Sequence, residues 1–67
     1  MRYYLNTHPQ RGQNPEVHAE GCRYMPGPQA RSYLGDFANC GPAVRLARTR
    51  YTTADGCYWC SRACHTR

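Results

Sequence analysis

Apolar positions in this chain come in short, separated runs, and each run has its own period. Residues 2–6 (Arg-Tyr-Tyr-Leu-Asn) are rich in β-formers and read as a short strand. Pro9, Gly12, Asn14 and Pro15 then make residues 7–15 a loop, since Pro lacks an N–H and Gly and Asn accept turn geometry. Glu16-Val17-His18-Ala19 reads as a second strand. Strand side chains alternate, so Val17 and Ala19 face one way and Glu16 and His18 the other. Gly21-Cys22 closes a tight turn, and Met25-Pro26-Gly27-Pro28 fits neither a helix nor a central strand. Arg31 to Phe37 reads as a third strand interrupted at Gly35-Asp36.

The period then changes. Ala43, Val44, Ala47 and Tyr51 fall within about 100° of arc at 3.6 residues per turn, with Leu46 at the edge and Arg45, Arg48 and Thr52 opposite. This predicts an amphipathic helix over residues 41–51, with Pro42 in its first turn and Asn39 or Cys40 as its cap. Asp55-Gly56 is a turn signal that ends it. Residues 57–65 are expected to form a last turn or two of helix. The fold class is therefore a small α+β mini-domain: two or three short strands, one helix and a C-terminal cysteine knuckle.

Size makes this pattern marginal by itself. Sixty-seven residues hold one domain, residues 1–67, and a chain this short buries too little apolar surface to offset chain entropy comfortably. The hydrophobic residues are mostly Ala, Tyr and Cys, with one Phe, one Trp and no Ile. A staple is expected, and the five cysteines (Cys22, Cys40, Cys57, Cys60, Cys64) are the candidates. An odd number cannot all pair. Residues 1–15 contain no apolar signal core, and no run approaches a membrane span, so a cytoplasmic setting without membrane contact is expected. There, clustered Cys and His favour metal over disulfides.

Zinc takes four ligands at tetrahedral corners, usually thiolate and imidazole, delivered as two close pairs. His18-x3-Cys22 is one pair and Cys57-x2-Cys60 the other. Cys64 follows Cys60 by four residues and Cys57 by seven, so on a helix it shares their face and is the alternative to His18 as fourth ligand. A redox role for Cys57-x2-Cys60 would need a βαβ setting that this chain is too short to build. Thiolate-rich sites also suit iron; zinc is favoured. Cys40 reads as a small buried hydrophobe, or as a disulfide partner of Cys64 under oxidising conditions, and His65 as a surface residue.

The order His18-x3-Cys22, Tyr33-Leu34-Gly35-Asp36-Phe37, Ala43-Val44 with Ala47, then Gly56-Cys57-Tyr58-Trp59-Cys60 resembles the metal-binding domain of the Ada DNA-repair proteins and its stand-alone relatives. The resemblance spans about two thirds of the chain and implies a zinc-held fold, with DNA contact in some members. Asp55-Gly56 stands where that family has Arg-Pro, and the segment before Cys57 is longer. Methyl transfer is not implied, because the first pair begins with His18. The Tyr-rich start and the C-terminal Cys64-His65-Thr66 also resemble short bacterial Cys-rich proteins, a resemblance that brings no function.

Charge adds the last element. The net charge is +5, every basic residue is Arg, and residues 41–67 carry most of the excess. Arg45, Arg48, Arg50 and Arg62, with Tyr51, Tyr58 and Trp59 nearby, suggest contact with nucleic acid. The alternative is a protein-interaction or inhibitory module that uses Tyr3 and Tyr4 on an edge strand. The four acids form no pair suited to catalysis, and Cys64 and His65, as sequence neighbours, point apart. Neither an enzyme nor a small-molecule substrate is expected.

Overall fold

The computed structural model describes residues 1–66; Arg67, counted above among the basic residues, lies outside them. The strands are β1 (Arg2–Asn6), β2 (Glu16–Ala19), β3 (Arg31–Asp36) and β4 (Asp55–Gly56), and the one α-helix is α1 (Cys40–Arg48). Short 3-10 turns cover Pro28–Ala30 and Arg62–Cys64. The sheet order is β3-β1-β2-β4, antiparallel except for the parallel β2–β4 pair. No described helix is long and apolar enough to cross a membrane.

Alternation sorts the sheet into two faces. Tyr3 lies opposite Ala19 and Leu5 opposite Val17, and all four are buried. They pack with Leu34 against Ala43, Val44 and Ala47 of α1. Tyr4 lies opposite His18 on the other face, where Tyr33 packs on Tyr4 at 5.3 Å between ring centroids. The β1–β3 register shifts between Tyr3 and Tyr4, which skips Leu34. Gly35, at a φ of 140° that other residues rarely adopt, absorbs this irregularity.

Several expectations are corrected by this arrangement. The Tyr-rich strand β1 is paired on both sides, so the edges of the sheet are β3 and the two-residue β4, not the strand that carries Tyr3 and Tyr4. The helix starts at Cys40, with the Asn39 side chain accepting from the Gly41 amide, and ends at Arg48 rather than residue 51. Beyond it the Tyr51 amide still donates to Ala47 at 2.9 Å, but the Tyr51 ring is exposed and leaves the apolar stripe. Asp55-Gly56, read as a turn, is a strand: the Asp55 amide donates to Pro15 and the Cys57 amide to Val17. Of the six tyrosines only Tyr3 is buried, and Trp59 is 66% exposed.

Cys40 and Cys64 form a disulfide that pins the start of α1 to the Arg62–Cys64 turn. Of the two readings of Cys40, the disulfide with Cys64 holds and the free buried thiol does not. His65, expected at the surface, is half-buried, with Nδ1 donating to the Gly56 carbonyl at 3.0 Å and lying 3.2 Å from Asp55.

Candidate metal centre

His18, Cys22, Cys57 and Cys60 each offer one ligand atom, and these four atoms lie within 4.8 Å of one another. Their convergence follows from the sheet. Alternation sends the His18 side chain off β2 on the face away from α1. The turn after Ala19, through Gly21 at a φ of 84°, brings Cys22 back under it, with the Cys22 amide donating to the Ala19 carbonyl. Parallel pairing of β4 with β2 carries Cys57 alongside. From there the chain turns so that the Ser61 amide donates to Cys57, which returns Cys60 to the same point. The helix packs on the opposite face of the sheet, against Val17 and Ala19.

The donor chemistry fits zinc. Cys60 Sγ lies 3.8 Å from His18 Nδ1, close to the ~3.6 Å edge of a tetrahedron with Zn–S near 2.3 Å and Zn–N near 2.0 Å. Backbone amides aim at the sulfurs: Ala19 donates to Cys60 and Tyr24 to Cys22. Such bonds stabilise thiolates. His18 is 2% exposed, and its other nitrogen, Nε2, faces the Glu16 carboxylate at 3.9 Å. A carboxylate behind a ligating imidazole orients the ring. Without a cation, burial and the neighbouring Cys22 and Cys57 sulfurs push the Cys60 thiol up to about 12, against the pull of the Ala19 amide. A divalent ion beside it would supply the charge that lets the Cys60 thiol ionise. Burial likewise lowers the His18 pKa, which favours the neutral ligating form.

Cys64, the alternative fourth ligand, is outside the group because its sulfur is bonded to Cys40. The predicted basic residues are not one surface. Arg48 is taken up by the fold: its Nε donates to the Ala54 carbonyl at 2.8 Å and its Nη2 reaches Asp55 at 3.4 Å. Arg50 is exposed and reaches Ser32 of β3, and Arg45 is exposed on α1. Arg62 lies over the Tyr58 ring at 4.8 Å, beside the knuckle.

Two features go beyond what the sequence suggested: the Asp55 cluster, and Tyr24 joining the Tyr58 and Trp59 rings. Asp55 is 2% exposed and binds Arg48, the Thr66 amide and the Thr66 hydroxyl, tying α1, β4 and the C-terminal residues together. Near the centre, Tyr24 stacks on Trp59 at 5.7 Å, and Tyr58 meets Trp59 edge-on at 4.9 Å. The three rings border a cleft of about 410 Å³ that Asn6, Gln10, Gln13 and Glu16 also line, together with the candidate ligands His18 and Cys57. Adjacency of Tyr58 and Trp59 inside the C-x2-C pair was the available signal for this patch; the arrival of Tyr24 needed the fold.

Compared with protein-family models, with curated proteins and with solved structures, the chain matches none.

Proposed function

We propose that this chain is a structural zinc mini-domain that binds nucleic acid. The observation that carries the zinc reading is the convergence of three thiols and one imidazole, with His18 and Cys57 buried and backbone amides aimed at the Cys22 and Cys60 sulfurs. A closed set of four protein ligands leaves no position for a reacting water, so zinc holds the fold instead of performing chemistry. The resemblance to Ada-type domains points the same way, through the order of the ligand pairs.

The nucleic-acid reading rests on net charge and on the exposure of the arginines. Arg45, Arg50 and Arg62 are exposed, and the net charge is +5. Arg48 is withdrawn from the set by its bonds to Ala54 and Asp55. Arginine forks suit phosphate oxygens, and each phosphate contact releases counterions. The test is fluorescence anisotropy of the zinc-loaded protein with labelled DNA between about 50 and 300 mM salt. Affinity should fall steeply, and Arg62→Ala or Arg45→Ala should each reduce the salt slope by about one. A flat affinity across that range would refute the reading.

A further inference from the structure

The cleft beside the metal centre has a composition that phosphate contacts do not use. Part of its lining is aromatic: Tyr24 and Tyr58 each pack on Trp59, all three are exposed, and Trp59 is the most exposed of the large apolar residues. A chain with so thin a core gains nothing in stability from leaving its single Trp in water. Guanidinium groups flank the rings, Arg23 at 5.8 Å from the Tyr24 centroid and Arg62 at 4.8 Å from that of Tyr58. The cleft is also lined by the carboxamides of Asn6, Gln10 and Gln13, by the Glu16 carboxylate, and by His18 and Cys57 of the candidate metal centre.

We propose that this cleft binds an unpaired nucleobase of single-stranded nucleic acid, stacked on Trp59 between flanking phosphates held by Arg23 and Arg62. Aromatic faces accept any base, and arginines along a groove track the backbone. Carboxamides carry one acceptor and two donors each, the complement of a base edge. A cleft of about 410 Å³ is roomy for one base with its sugar and small for a duplex. A duplex keeps its bases stacked on one another and offers no free face. An apolar peptide would suit the rings and leave the carboxamides and both arginines without partners. This inference rests on the nucleic-acid reading above and narrows it to single strands.

The test is anisotropy with three labelled probes at low salt: an oligothymidylate of about 12 nucleotides, a strand of the same length lacking bases, and a duplex. The proteins are the zinc-loaded wild type, Trp59→Ala and Trp59→Phe, each checked for one bound zinc. The oligothymidylate should bind best. Trp59→Ala should weaken it by about 5- to 150-fold, the effect of losing one stacked base, and Trp59→Phe should restore most of that. The strand without bases should bind wild type as weakly as the oligothymidylate binds Trp59→Ala. Equal binding of all three probes, unchanged in Trp59→Ala, would overturn the stacking site and leave phosphate contact standing. Binding of none would overturn both and leave the patch to a protein partner.

Discussion

Gly56 shows how little room surrounds the second ligand pair. A Cβ there would lie 2.6 Å from the Ser61 carbonyl oxygen and 2.8 Å from Cys64 Cβ. Neither neighbour can swing away, so Gly56→Ala should destabilise the fold by about 1–3 kcal/mol or more, read from the denaturant midpoint. An unchanged midpoint would mean that the last turn does not close on β4. The sequence reading had assigned this glycine to a turn, and its real role is close approach within a strand. His18 gives a second residue-scale prediction. Its pKa is lowered by burial, so folding favours the neutral ring. That stability is complete above the unfolded value of about 6.5 and is lost as pH falls from there toward the folded value. Protons compete with metal for the same nitrogen and for the thiolates, so both effects act in one direction. Zinc should stay bound near pH 7.5 and be released between about pH 6 and 4, as seen with a chromogenic chelator. Full retention at the acid end would contradict His18 ligation.

At the scale of elements, what was legible depended on whether the signal was local. The His18-x3-Cys22 and Cys57-x2-Cys60 spacings, the Val17/His18 alternation and the Asn39 cap all lie within a few residues, and the structure contains each of them. The parallel β2–β4 pair joins Glu16 to Asp55 and Val17 to Gly56 through two residues of strand, too short to show alternation. The Asp55 cluster spans Arg48 to Thr66 and has no period at all. These long-range contacts explain why Cys64-His65-Thr66 acts as a unit: a disulfide, a carbonyl bond and a carboxylate bond in sequence. They also separate two arginines that looked alike. Arg48→Ala should cost about 2 kcal/mol, because it removes the charged partner of a buried carboxylate while Thr66 still donates to it. Its effect on nucleic-acid affinity at saturating zinc should be small. Arg62→Ala should do the reverse. A midpoint shift for Arg62→Ala with none for Arg48→Ala would sink this distinction.

Over the whole molecule, a disulfide and, on the proposed reading, a bound metal are the two staples that offset a core in which four of ten buried residues are alanine. The disulfide closes a loop between residues 24 apart and is worth about 3–4 kcal/mol in chain entropy. The metal cluster joins β2, the turn after it and the knuckle on the sheet face that the helix leaves uncovered. The two staples therefore act on different faces and should fail separately. A Cys40→Ala/Cys64→Ala double variant should keep its metal and its fold while losing about 3 kcal/mol. Cys57→Ser or Cys60→Ser should unfold the chain, because metal binding supplies much of the folding free energy. Native dispersion in the NMR spectrum of either serine variant would count against the metal-held fold. The composition predicted a staple, and the odd cysteine count left both kinds open. Three-dimensional placement divides the thiols: two in a covalent bond and three around His18.

The most direct test is native mass spectrometry of the protein purified without added metal, repeated after denaturation. The account predicts one zinc per native chain, lost on unfolding, with a chain mass lower by two hydrogens for the Cys40–Cys64 bond and three alkylatable thiols at Cys22, Cys57 and Cys60. A folded chain with no metal, or with any of those three thiols blocked in a second disulfide, would contradict it.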